Sequence, residues 1–416
     1  MSVALVAIGD ELLLGETREA NAAALAVALR RRGLQLGSAH VIGDSRGAIA
    51  EMLARLTPST KLLVLSGGLG PTDDDFTRAA VAESVGVALV RDAEAEATLR
   101  ARYAQRGRVV SEPELRQAER PEGSLLQPNR FGTAPGFLLR IGTCVVVTVP
   151  GVPREVLGMF GDHLDAWLRE AGLATETPPH EPLLRVFGAA ESEVAARVRP
   201  LPGYDRVHVR SLPHFPEIRL RIQPARDGES DWRAAAEFAD RAAEALGWRV
   251  FARDDDAADL ASCLLAELGA RGQTIAVAES CTGGRILDRL TDVPGASASV
   301  VGGVVAYANA VKIDALGVDG AVLDEHGAVS EPVVAAMAAG VRARLGADLG
   351  VATSGIAGPA GGTAEKPVGT ICIGVADAAG VQSWRLVFPG LSRDRFKELV
   401  VWTALARARQ RLASGR

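Results

Sequence analysis

The sequence predicts an α/β protein: two doubly wound α/β sandwich domains joined by a small α+β unit. Three observations predict it. Apolar runs of strand length alternate with helical stretches through residues 1–175 and again through 254–416, the grammar of a mostly parallel sheet with helices on both faces. The intervening residues 176–253 follow a different order, with two strands in succession. A chain of 416 residues that is 48% hydrophobic is also much longer than one core requires.

In the first domain VALVAIG reads as a buried strand, Asn21–Arg32 as an amphipathic helix, KLLVLSGG as a strand entering a glycine-rich loop, and TCVVVTVPG as a later strand. TPPHEP, around Pro178 to Pro182, reads as a linker. The middle unit runs strand LLRVFG, helix ESEVAARV, strands VHVRSL and EIRLRIQ, and helix DWRAAAEFADRAAEALG. After the acidic patch RDDDAADL the last domain alternates again. Helices separate the strands TIAVAES, SVVGGVVAY and DLGVATS, and GTICIGVAD and VQSWRLVF follow before a terminal helix.

A net charge of -5 with interspersed signs gives no basic field to recruit nucleic acid, so small ligands are the expected partners. No stretch approaches the ~20 apolar residues that cross a bilayer, and the start, MSVALVAIGDELLLG, lacks the basic head and cleavage site of a signal peptide. A cytoplasmic protein that avoids membranes is expected. Four cysteines, Cys144, Cys263, Cys281 and Cys372, lie far apart, which suggests neither a disulfide frame nor a cysteine zinc site. Of 46 basic residues only four are lysine, Lys61, Lys312, Lys366 and Lys397. Arginine stays charged, whereas a desolvated lysine can lose its proton and serve as a base. A lysine is therefore informative in this chain.

The first candidate site is SGGLGPTDDDFT (66–77), between an apolar strand and a helix. Backbone amides there can hold phosphate oxygens, and Asp73, Asp74 and Asp75 could hold a divalent cation. The alternative is a tight turn whose aspartates cap the next helix. GDELLLG, with Asp10 and Glu11, ends the first strand, and parallel strands deliver their carboxyl-end loops to one crevice.

GDELLLG with Asn21, GGLGPTDDDFT, FGTAPGF (131–137) and PGVPREV (150–156) together resemble the amino-terminal domain of the CinA (competence/damage-inducible) proteins, which is related to molybdopterin-binding domains. The resemblance implies metal-dependent cleavage of ADP-ribose to AMP and ribose 5-phosphate. Gly67, Gly68, Gly70 and Thr72, with Asn21, would contact substrate, and Asp10, Asp74 and Asp75 would bind a divalent metal ion. It also implies a KH-like middle unit and a probable homodimer. No GxxG loop, the clamp of RNA-binding KH domains, occurs between 183 and 253, so that unit reads as a spacer or dimer-forming element.

The second candidate site is AESCTGG (278–284), where a strand ends and a helix begins. A nucleophile there gains from the helix dipole, and amides such as those of Thr282 and Gly283 could form an oxyanion hole. Serine needs a base. AYANAVK sets Tyr307 and Lys312 on another strand-to-helix junction, which a parallel sheet could bring beside Ser280 as a serine–lysine pair with a tyrosine relay. Taken singly, Ser280 could equally cap a helix and Lys312 be solvated, and Cys281 is a rival nucleophile.

AESCTGG, AYANAVK, VSEPVV and GIAGPAGGTAEKPVGT (355–370) are similar to the nicotinamide-nucleotide amidohydrolase domain (PncC) that forms the carboxy-terminal half of CinA proteins. That resemblance implies deamidation of nicotinamide mononucleotide without a cofactor. Ser280 would be the nucleophile, assisted by Tyr307 and Lys312, with Arg393 as the site arginine and Arg395 in reserve. Thr282, Gly283, Gly284, Gly355, Gly358, Gly361 and Gly362 would contact substrate. Two other readings stand beside it: a non-catalytic scaffold in competence or recombination, and pterin binding by the first domain.

Overall fold

The computed structural model describes residues 2–175, 180–226, 228–255 and 258–414. Pro178 and Pro179 of the predicted linker lie outside the described residues. The chain divides into two compact units, Met1–Pro179 and His180–Arg416.

In the first unit six strands form one sheet, in the order Ser38–Ile42, Val3–Ile8, Leu62–Ser66, Cys144–Val149, Gly136–Ile141, Leu125–Gln127. The first four are parallel and the last two antiparallel. All six residues of Val3–Ile8 are buried, and the pleat explains why the run is apolar throughout. Val3, Leu5 and Ala7 enter one core and Ala4, Val6 and Ile8 the other, each covered by helices. The predicted helix is Asn21–Arg30. The long helix Pro153–Glu170 opens with proline in its first turn, where the missing amide costs nothing.

In the second unit the middle segment runs strand, helix, two strands, helix, strand, and Val250–Arg253 is a closing strand that sequence reasoning missed. Its sheet order is Val207–His214, Glu217–Pro224, Leu183–Val186, Val250–Arg253, antiparallel throughout. This is the split β-α-β arrangement, which replaces the expected KH-like description. Nor is it a free-standing spacer. Helices pack on one face of its sheet through Leu184, Val186, Leu220 and Phe238. On the other, Phe187 and Phe251 lie 5.4 and 5.6 Å from the Trp402 ring of the last domain. Arg185, 5% exposed, makes a two-point ion pair with Glu217, 3% exposed, at 2.8 and 2.7 Å, and also donates to the Ala258 carbonyl. Removing one partner of such a buried pair costs roughly 3–5 kcal/mol.

The last domain has the predicted elements. Its sheet order is Val300–Val305, Ile275–Glu279, Leu349–Gly355, Thr370–Asp377, Gly380–Val387. The first three strands are parallel, so Ile275–Glu279 and Leu349–Gly355 end side by side, and Val300–Val305 ends beside them. Ile275 and Val277 face one core, Ala276 and Ala278 the other. The carboxyl ends of these strands carry the predicted catalytic segments.

Candidate active sites

At this edge of the last domain lies a cavity of about 280 Å³ lined by Ser280, Cys281, Tyr307, Asn309, Lys312 and Arg393, together with Gly355, Gly358 and Gly361. Three segments far apart in sequence thus converge, because the parallel strands that precede them share one direction. The Ser280 amide donates to the Thr353 carbonyl at 3.0 Å, which anchors the turn to the neighbouring strand.

Lys312 sits in the first turns of the helix Asn309–Leu316 and points inward, 1% exposed. Its Nζ donates to the carbonyls of Ala306 and Tyr307 at 2.9 and 3.0 Å. Burial lowers its pKa from the ordinary lysine value. An uncharged amine has two N–H donors and one lone pair, so two carbonyls use its donors and leave the lone pair to accept. Tyr307 meets Lys312 through its backbone carbonyl, while its side chain is 66% exposed at the cavity mouth. Burial pushes the Cys281 thiol up to about 12, which leaves it protonated at neutral pH and removes the thiolate that a cysteine nucleophile requires.

Arg393 opens the helix Arg393–Ser414 and donates to the Gly358 carbonyl at 2.8 Å, tying the glycine-rich loop to the cavity. Arg395 is turned elsewhere, 4.9 Å from the Phe215 ring. Of the other predicted contacts, Thr282, Gly283, Gly284 and Gly362 do not line the cavity. Thr282 is fully buried and its hydroxyl pairs with that of Thr353 at 3.0 Å. Gly283 and Gly284 have φ of 64° and 99°, which a side chain would strain, and they turn the chain into the next helix.

That helix gives a correction. The expected open helix terminus behind Ser280 is already occupied by the carboxylate of Glu279, 2% exposed. It accepts from the amides of Gly284, Ile286 and Leu287 at 2.9, 3.1 and 2.9 Å. A carboxylate satisfies the leading amides and compensates the dipole, so Glu279 braces the turn that follows Ser280 and the helix terminus offers no positive end to a ligand in the cavity. Sequence reasoning missed Glu279 and Asn309, although both lie inside the motifs that located the site.

The first unit has its own cavity, about 510 Å³, at the carboxyl ends of its parallel strands. Gly67, Gly68, Gly70, Asp74 and Asp75 line it as predicted. Gly67 approaches the Ile8 backbone so closely that a Cβ would stand 2.2 Å from its carbonyl oxygen. Three predicted residues do other work. Asn21 is buried and clamps the loops from behind, donating to Ser66 Oγ at 2.8 Å and to the Gly151 carbonyl at 2.9 Å. Thr72 faces away from the cavity and donates to Asp75. Asp10 accepts from the Asp44 amide at 3.1 Å and is not among the lining residues. Asp75 does line the cavity, but its two oxygens take the amides of Gly70 and Thr72 at 2.7 and 2.9 Å, bracing its own loop and not capping the next helix, whose N-cap residue Phe76 makes no side-chain cap bond.

Behind the loop Arg78, 4% exposed, donates to the carbonyls of Leu69 and Gly70, and burial lowers its pKa to about 10. Asn129 pins the FGTAPGF segment to Glu155 at 2.7 Å. Among the described residues no group of three His, Cys, Asp or Glu side chains forms a ready metal cage. The described lining nevertheless includes Glu11, Asp44, Asp74, Asp75 and Glu155 and no lysine, arginine or histidine. Burial, together with the charges of Asp10, Glu11 and Asp74, raises the Asp44 pKa against the lowering effect of the Asp10 amide. Such uncompensated charge fits a hard divalent cation of the kind held by one or two carboxylates plus substrate phosphates, which needs no full protein cage.

Two α/β units, each with a cavity where its parallel strands end, give the chain two candidate small-ligand sites. The matching family models agree with that division: residues 4–170 match the probable molybdopterin binding domain and residues 257–412 the CinA C-terminal domain. A CinA-like protein of Gemmatimonas aurantiaca is 40% identical, covering 99% of this chain and 97% of its own length. One from Frankia casuarinae is 42% identical over 99% and 96%. The chain belongs to the CinA family. Among solved structures, the competence/damage inducible protein CihA from Agrobacterium tumefaciens is 37% identical over 38% of this chain and 94% of its own, with a TM-score of 0.36. Among the described residues no helix is long and apolar enough to cross a membrane.

Proposed function

We propose that the last domain hydrolyses the carboxamide of nicotinamide mononucleotide to nicotinic acid mononucleotide and ammonia. The observation that carries this reading is the fully buried amine of Lys312, donating to two backbone carbonyls, on the cavity that Ser280 lines. Ser280 Oγ attacks the carboxamide carbon as Lys312 Nζ accepts the hydroxyl proton. The C–N bond then breaks, the proton passes to the leaving nitrogen, and ammonia departs. Water attacks the resulting ester, regenerating Ser280. Tyr307, at the mouth, closes over the ring and relays protons, and Arg393 with the Gly355–Gly361 backbone holds the phosphate. Purified protein given nicotinamide mononucleotide is expected to release ammonia stoichiometrically with the acid product. No release would leave the scaffold reading in its place.

For the first unit we propose hydrolysis of ADP-ribose to AMP and ribose 5-phosphate, assisted by a divalent cation. Every charged residue of the described lining is acidic, which supports this, since a pyrophosphate would be repelled from it without a counter-charge. Glu11, Asp44 and Asp74 are the carboxylates that would hold the ion, and it would supply charge neutralisation and an activated water. Gly67, Gly68 and Gly70 offer close backbone approach, and Arg78 holds their loop in shape. AMP formation is expected to vanish with a chelator and return on adding magnesium or manganese. Turnover indifferent to the chelator would remove the metal from the reaction.

A further inference from the structure

Where the split sheet packs on the last domain, the second unit carries an open cleft of about 330 Å³, larger than the one at Ser280. The two share no lining residue. Its walls include the rings of Phe187, Trp248 and Phe388. The one cation among its described lining residues is Arg407, on the terminal helix.

The setting of Arg407 is unusual for a charge. Its guanidinium carbon lies 5.3 Å from the centre of the Trp248 ring and 4.9 Å from that of Trp384. One N–H donates to Gln410 Oε1 at 2.6 Å. Among the described residues no carboxylate forms an ion pair with it. The acid on the same wall, Glu193, is engaged by Arg197 at 3.0 Å and Arg249 at 3.3 Å. Burial, and the like charge of Arg249, both lower the proton affinity of Arg407. A part-buried cation held over aromatic rings gains cation–π attraction but has no counter-charge, so it keeps its capacity to pair with an anion. Indoles occupy its flat surroundings, which leaves the N–H edge, and that edge matches a planar two-oxygen anion.

From this we infer that the cavity is a second ligand site, taking a small aromatic carboxylate whose ring lies among Phe187, Trp248 and Phe388 and whose carboxylate meets the Arg407 edge. The size suits a one- or two-ring ligand, and domain junctions are favoured places for such sites. The inference stands on the chemistry of this cavity and is independent of the deamidase reading.

The test is calorimetric titration of the full-length protein with 2-naphthoate and with 2-naphthamide, which has the same shape without the charge. The acid is expected to saturate one site and to bind at least about tenfold more tightly than the amide, the scale of a charge-assisted paired hydrogen bond. Arg407→Met should erase that preference and Arg407→Lys, which keeps charge without the fork, should retain part of it. Arg393→Ala, at the other cavity, should leave the titration unchanged. Equal affinity for acid and amide, no acid binding up to millimolar concentration, or loss of binding in Arg393→Ala with retention in Arg407→Met would each overturn the proposal. The acid–amide comparison needs no variant, so it decides even where a substitution impairs folding.

Discussion

Ser280→Ala is expected to cut ammonia release from nicotinamide mononucleotide by about 10²–10⁶-fold, the range for losing a member of a nucleophilic unit. The neighbouring Cys281→Ala is expected to stay within about tenfold of the parent rate. The contrast follows from what surrounds each side chain, since Ser280 too is only 9% exposed. Cys281 is 5% exposed and belongs to the core shared by Val277, Ile286 and Phe396, with its thiol pushed up to about 12. Its truncation removes packing, on the order of 1 kcal/mol for a small buried group, and no reacting charge. Single-turnover measurements on both variants separate the cases. Full loss in Cys281→Ala with activity kept in Ser280→Ala would exchange their roles.

Much of this arrangement was legible before any coordinates. Strand direction did most of it. Once TIAVAES, SVVGGVVAY and DLGVATS are read as parallel strands, the residues after each must meet at one edge, and Ser280, Tyr307 and Lys312 do line one cavity there. The scarcity of lysine marked Lys312, because a chain that writes arginine for generic charge has a reason to write lysine. The same logic applied once more would have found Asp44, which follows the strand Ser38–Ile42 beside the first strand and lines the other cavity.

What was not legible depends on side-chain direction and on pairing. Asp75 and Asp74 are neighbours in sequence, yet it is Asp75 that takes the amides of both Gly70 and Thr72, while Asp74 is held by Thr72 and its own amide. Asn21 resembled a ligand contact but is a buried clamp. Glu279 precedes Ser280 and could have faced solvent, cavity or helix; only the turn geometry sends it to the helix amides. The middle unit displayed its strands and helices apart from the closing strand Val250–Arg253, but sequence order does not state which strands pair. That pairing separates a split β-α-β sheet from the KH-like topology expected for it.

Lys312→Arg is expected to be as damaging as Lys312→Met, each lowering kcat/KM by about 10²–10⁴-fold. A structural cation would tolerate arginine; a proton acceptor cannot, because guanidinium keeps its proton at every working pH. The pH dependence gives an independent reading of the same amine. Burial moves the Lys312 pKa downward, and only the neutral form accepts the Ser280 proton. Activity should therefore rise with pH through that lowered pKa and level off above it, at a pH below the ordinary lysine range. In Lys312→Arg the residual rate should lose this rise, since the titrating base is gone. A wild-type profile that instead falls with increasing pH across the same window would mean that the protonated amine is the working form, acting as an electrostatic partner and not as the base. Burial argues for the first outcome because it disfavours the charged form, and an uncharged amine can still make both Nζ–carbonyl bonds. They use the donors an uncharged amine possesses, and the remaining lone pair is what a serine hydroxyl requires.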